Sequence, residues 1–417
     1  MKKARVYTAV TAIALIFAIA FNLVGCSTAS NAKNLMENVT PRVLNELENL
    51  DDKNANVTDF AVRLFKESVK NGENTLISPL SVMCALAMTA NGAEDETLSQ
   101  MENVLGMSRD ELNAYLHSYT KNLPRGEKYK LDLANSIWFT DDERFSVNNG
   151  FLQTTADFYD ADIYKAPFNN KTKKDINSWV NEKTDGTIPE ILDEIPQSAV
   201  MYLVNALAFD AEWSTVYMEH QVRENTFTKE DGTKQEAEFM YSGIEEEYLE
   251  DEKATGFIKE YKGGKYAFVA MLPKEGVSVS EYVSSLDGNA LHTLLSNPEH
   301  VDVHTSIPKF ETSYGVEMSD ILTNMGMPKA FSENAEFGSL GTSSAGNICI
   351  SRVIHKTFIS VHEKGTKAGA ATLVEMVDGG MPQDYKEVHL TRPFVYMLID
   401  RENNIPFFIG TMTDVKA

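Results

Sequence analysis

The chain has 417 residues, 61 of them Asp or Glu against 38 Lys or Arg, for a formal net charge of -23. So large an acidic excess repels phosphates, which argues against nucleic acid and anionic membrane surfaces as partners. With only three cysteines, no disulfide framework is available; a chain of this length must be stabilised by a core that buries roughly 75% of its unfolded surface.

In chain order, MKKAR is a basic start, Val6 to Leu23 is apolar and LVGC closes the stretch, which is the layout of a signal peptide over residues 1–25. A small residue before a cysteine at the end of an apolar run resembles the bacterial lipobox, which implies a lipid on Cys26. The expectation is an exported, membrane-anchored lipoprotein, or an extracellular protein if it is released. A single spanning anchor is the alternative, and the apolar stretch is about the shortest that crosses a bilayer.

Residues 26–55 are rich in Asn, Ser and Asp and read as a polar tether, with a short helix over Pro41 to Leu50 as a candidate. From residue 56 to 417 no linker, low-complexity tract or repeat interrupts the chain, so one large domain is expected. In TLISPLSVMCALAMTANGA, Ser78 is placed to cap a helix, Pro79 fits its first turn and Asn91-Gly92 stops it. AEDETLSQMENVLG reads as a second helix, with acids in the first turn and Gly106 at its end. LDLANSIWF, VMYLVNALAF, KYAFVAMLP, VDVHTSIPKF, ISRVIHKTFISVHE and RPFVYMLIDRENNIPFFIGTM read as strands. Helices first and strands afterwards make an α+β class.

One stretch resists assignment. EKGTKAGAATLVEMVDGG, residues 363–380, begins as an Ala-rich run acceptable in a helix, passes into β-branched residues and ends in a turn-forming Asp-Gly-Gly.

Signatures of catalysis are missing. HEKGT is not HExxH, GGKY lacks the hydroxyl that follows a phosphate-loop lysine, and no GxSxG occurs. Cys84 and Cys349 lie in apolar contexts that do not lower a thiol pKa. The acidic run IEEEYLEDE reads as a solvated face. The chain is therefore not expected to be an enzyme, and no metal or cofactor is implied.

Read together, NTLISPLSVMCALAMTANGAEDETLSQMENVLG, INSWVNEKTDGTIPEILDEIPQSAVMYLVNALAFDAEW, SIPKFETSYGVEMSDILTNMGMPKAFSENAEF, ISRVIHKTFISVHEKGTKAGAAT and LTRPFVYMLIDRENNIPFFIGTM resemble the serpin family, in family order, from about residue 56 onward. The resemblance implies helices packed around a large central sheet with smaller sheets, and an exposed reactive loop at about 363–391. It implies an inhibitor whose partner is a serine protease. The protease attacks the loop and forms an acyl-enzyme, and the loop then inserts as a new strand and carries the trapped protease with it. A monomer is expected. A non-inhibitory serpin acting as a cell-surface binding protein is the alternative.

The resemblance places Glu363, Gly365, Thr366, Ala368, Ala370 and Thr372 in the loop hinge. If this run inserts, the last four share the face toward the hydrophobic layer and all four are small, whereas Lys367 and Glu375 fall on the other face. It places Ser78, Ser81, Asn205 and His355 in a buried polar cluster that governs sheet opening, and Trp213 at the sheet top. Read without the resemblance, Ser78 is an N-cap, Ser81 a helix hydroxyl, Asn205 a satisfied amide, and His355 and Trp213 are core residues.

Counting as the family does from the hinge glutamate puts the cleaved bond between Gly379 and Gly380, with Val377–Asp378 as second choice. No Lys or Arg stands between Lys367 and Lys386. A trypsin-like pocket has nothing to hold there, and an elastase-like protease is the expected target. The loop is a few residues longer than usual and Gly369 replaces the customary alanine; both loosen the comparison.

Overall fold

Two β-sheets carry the architecture of the protein, a computed structural model that describes residues 31–196, 199–344, 346–366 and 385–416. The expected signal peptide, Cys26, the hinge residues Ala368, Ala370 and Thr372, and both candidate cleavage positions, Gly379–Gly380 and Val377–Asp378, lie outside the described residues.

The first sheet has seven strands in the order Lys33–Asn34, Asp162–Ala166, Tyr129–Thr140, Met201–Glu212, Gly365–Thr366, Arg352–His362 and Phe310–Glu317. The second runs Tyr385–His389, Glu299–Pro308, Lys234–Glu250, Ala254–Glu260, Tyr266–Pro273, Phe394–Asp400, Ile405–Met412 and Thr75–Ile77, with Val222–Thr228 paired to its long third strand. Nearly continuous burial along Tyr266–Pro273, Phe394–Asp400 and Ile405–Met412 explains why their sequences lack alternation: both faces are covered.

Helices fill the space behind the sheets. Pro79–Ala90 is buried along its whole length, capped by the Ser78 side chain and ended at Asn91, as its sequence predicts. Asp95–Leu105 closes on Gly106 in the left-handed region, where glycine has no Cβ to clash. Arg109–Lys121 starts with a full Ser108–Glu111 capping box. Helix Asn170–Lys183 packs Ile176 and Val180 with Trp138, Tyr202, Val204 and Ile354 of the first sheet, in a cluster separate from the main core.

The polar tether expected over residues 26–55 is corrected where it is described. No helix forms over Pro41 to Leu50; the helix begins one residue later, as Asp51–Ser68, and belongs to the domain core through Val57, Phe60, Leu64 and Phe65. Residues before it lie on the domain as a strap. Lys33–Asn34 adds an edge strand to Asp162–Ala166, the Leu47 amide donates to Ser118 Oγ at 2.8 Å, and the Arg42 amide and guanidinium donate to the buried Asp157 carboxylate. Polar composition misled because the strap docks through backbone and charge as well as through the scattered apolar residues Leu35, Met36 and Val39, which pack against the main core.

The acidic run also differs from its solvated reading. It continues the strand Lys234–Glu250, in which Tyr248 and Leu249 are buried, and Glu247 and Glu250 pair with Arg401 and Lys274 at 2.7 and 2.8 Å.

Candidate functional site

The hinge begins inside the first sheet. Strand Arg352–His362 ends in a tight turn through Glu363 and Lys364, and the chain reverses so that Gly365 and Thr366 lie between two long strands. Val361 pairs with Thr366 and His362 with Gly365 on one side; on the other, Gly365 pairs with Glu212 and Thr366 with Ala211, both ladders antiparallel. Farther down, the same two long strands touch directly, in parallel register, through Arg352–Tyr202, Val353–Leu203 and Ile354–Val204. The hinge therefore occupies the first position of a strand that would have to part those three pairs to grow.

Each described residue of the candidate hinge is held in place. Gly365 sits at φ +156°, and a Cβ there would come within 2.0 Å of the Ala211 carbonyl oxygen, so only glycine fits without a shift. Thr366 is 2% exposed and its hydroxyl meets the Tyr261 hydroxyl at 2.5 Å. Glu363 is anchored by Lys309 at 3.0 Å. Burial works against its ionisation, yet its own backbone amide and Lys309 outweigh that and hold the carboxyl below its ordinary range.

Trp213 lies immediately beside this turn. Its ring stacks on Tyr261 with centroids 4.5 Å apart and planes within 6°, its indole N–H donates to the His362 carbonyl at 2.8 Å, and its amide donates to the Lys364 carbonyl at 2.9 Å. The neighbouring Glu212 carboxylate is buried against Lys128 at 2.9 Å.

A second constellation lies beneath the sheet. The Ser78 amide donates to His355 Nε2 at 3.0 Å, and the Ser81 amide donates to Ser78 Oγ at 3.4 Å. Asn205 Nδ2 donates to Asn135 Oδ1 at 2.8 Å. All five side chains are buried. His355 accepts through Nε2, so it is neutral, and burial pushes its pKa down to about 3. Ser81 Oγ, Asn205 Oδ1 and His355 Nδ1 find no partner among the described residues. Each such group costs on the order of 1–3 kcal/mol, which makes this a weakly tied part of the interior.

The family profile described as "Serpin (serine protease inhibitor)" matches residues 55–415. The chain belongs to the serpin family. An uncharacterised serpin-like protein of Thermococcus kodakarensis is 30% identical over 86% of this chain and 85% of its own length, and human Serpin B4 is 26% identical over 85% and 97%. Among solved structures, the thermophilic serpin tengpin in its native state superposes with a TM-score of 0.89 at 48% identity, covering 92% of this chain and all of that one. Tengpin in its latent state gives 0.77 at 44% identity, over 90% and 100%. Serpins inhibit proteases and are not catalysts, and the α+β serpin fold expected from sequence is the one observed.

Within this serpin the expected residues fall into two groups. Glu363, Gly365, Thr366 and Trp213 converge at the sheet top. Ser78, Ser81 and His355 join through hydrogen bonds, whereas the side-chain bond of Asn205 goes to Asn135, which sequence reading did not single out. Tyr261, Lys309 and Lys128 were also missed. Nothing local marks them: Tyr261 is 105 residues from Thr366 and becomes its partner only through sheet register. Cys84 is inert as anticipated, its thiol pushed up to about 12 by burial.

Proposed function

We propose that this serpin is a suicide inhibitor of elastase-like serine proteases. The single observation that supports the reading is the hinge: Gly365 and Thr366 already hold antiparallel ladders to both Met201–Glu212 and Arg352–His362, with small or absent side chains at the point of entry. The protease serine attacks the loop carbonyl, the acyl bond forms and the leaving amine departs as the new N-terminus of the C-terminal fragment. The freed strand then follows Thr366 into the sheet and parts Arg352–Tyr202 through Ile354–Val204. Sheet growth gives the entering segment backbone partners on both sides and buries its small residues. Water reaches the acyl-enzyme too late.

Specificity rests on the absence of Lys and Arg between Lys367 and Lys386, which denies a trypsin-like acidic pocket its cation. Gly379–Gly380 is the proposed bond and Val377–Asp378 the second choice. Export, with a lipid on Cys26 as the membrane attachment, is the proposed location.

The test is incubation with a panel of serine proteases. An SDS-stable band of summed mass with an elastase-like member supports the proposal, and mass spectrometry of the released fragment locates the cut. Clean cleavage without any stable complex across the panel sinks the inhibitory reading in favour of a binding role. Rapid trapping of trypsin sinks the specificity.

A further inference from the structure

The turn that feeds the hinge is held by its own carbonyls. Those of His362, Glu363 and Lys364 are consecutive, and they accept from the Trp213 indole at 2.8 Å, the Tyr217 amide at 2.9 Å and the Trp213 amide at 2.9 Å. The segment 213–217 is therefore the pivot from which Gly365 and Thr366 enter the sheet. Residues 214–218 belong to no strand or helix, so side chains have to fix its position.

Lys259 is placed to do this. It lies on strand Ala254–Glu260 and is 4% exposed. Its ammonium stands 4.7 Å from the centre of the Tyr217 ring and 5.5 Å from that of Trp213. Both distances are those of cation–π contacts, which burial strengthens. One cation thus grips the two ends of the segment, while the Trp213 ring also stacks on Tyr261. An apolar side chain would fill the same space without the cost of burying a charge. What the ammonium adds is attraction for both rings at once.

We propose that Lys259 is a positioning residue for loop insertion, fixing Trp213 and Tyr217 so that the turn through Glu363 and Lys364 stays seated while the cleaved loop moves in. The inference rests on the inhibitory reading. After acylation, insertion competes with hydrolysis of the acyl bond, so a loosened pivot sends more of the inhibitor to cleaved, inactive product. The proposed cleavage bond follows well beyond the turn along the chain, so attack on it is unaffected.

The test compares the full chain with Lys259→Met, which keeps the length of the side chain and loses its charge, and with Lys259→Arg, which keeps the charge. Titration against pancreatic elastase gives the number of inhibitor molecules consumed for each protease trapped. Lys259→Met should raise that number about threefold or more with the rate of loop cleavage unchanged, and Lys259→Arg should restore it. Native-state hydrogen exchange needs no protease, and it should quicken at the Trp213 and Tyr217 amides in Lys259→Met alone. Parent-like consumption in Lys259→Met overturns the proposal. Equal losses in Lys259→Met and Lys259→Arg overturn it too, by assigning the effect to packing. If the parent traps no protease, the inhibitory reading falls by itself, and equal exchange in the parent and Lys259→Met then removes Lys259 from the pivot.

Discussion

The hydroxyls of Tyr261 and Thr366 meet at 2.5 Å in a fully buried contact, with Trp213 stacked on the opposite reach of the same tyrosine. This contact ties Thr366, where the proposed insertion would begin, to the residue that follows strand Ala254–Glu260 of the second sheet. It makes the hinge a latched element in the uncleaved protein, and a larger group at residue 366 would have no room.

Thr366→Arg should therefore turn the inhibitor into a substrate. A guanidinium cannot be buried cheaply beside Tyr261, so insertion stalls while the acyl-enzyme is hydrolysed. Gel analysis should show cleaved serpin and active protease; covalent complex at the normal rate would contradict insertion through this face.

Gly365→Ala should unseat the hinge. The added Cβ meets the Ala211 carbonyl oxygen at 2.0 Å, at a φ that L-residues rarely adopt, for a cost of roughly 1–3 kcal/mol. Hydrogen exchange should quicken at Gly365 and Thr366 and along Ala211–Glu212, while the second sheet keeps its protection. Unchanged exchange there would show that the pairing is not needed.

His355 should make stability depend on pH. Its pKa falls from 6.5 to about 3 in the folded protein because burial disfavours the charged ring. The unfolded chain then binds more protons between those values. Its contribution is full above pH 6.5 and is lost as pH falls toward 3, at about 1.4 kcal/mol per pH unit. Urea midpoints measured from pH 7 to 4 should fall less steeply in His355→Asn than in the parent; equal slopes would remove the histidine from the account.

Arg42→Ala should release the strap. Asp157 has a fully buried carboxylate side chain whose cationic partner is Arg42, and the same residue donates its backbone amide to it. Loss of the guanidinium leaves a buried charge under-compensated. Limited proteolysis should open sites between residues 31 and 50 in the variant and spare them in the parent.

A verified single cut in the loop should raise the melting temperature sharply, since a strand is added and three direct interstrand pairs are replaced by a longer continuous ladder. Scanning calorimetry before and after cleavage checks it, and an unmoved transition points to a non-inhibitory serpin.

What the chain determined by itself was local. Ser78, Pro79 and Asn91 delimit a helix because capping and turn chemistry act within a few residues. Gly106 ends the next helix for the same reason. The small residues after Glu363 were legible as strand-compatible on one face because side chains alternate with a period of two. Tertiary structure alone decided the partners. Ser78 and His355 are 277 residues apart, Asn135 and Asn205 are 70 apart, Arg42 and Asp157 115 apart. No pattern in the chain announces such pairs, because each depends on which strands become neighbours and in what register, a choice made by packing of the whole molecule. The strap shows the same division. Its polar composition predicts a free tether, yet an edge-strand pairing, a buried carboxylate, the Leu47–Ser118 bond and the packing of Leu35, Met36 and Val39 hold it to the domain, and the first two partners exist only once helix Asn149–Tyr159 and strand Asp162–Ala166 have folded beside each other.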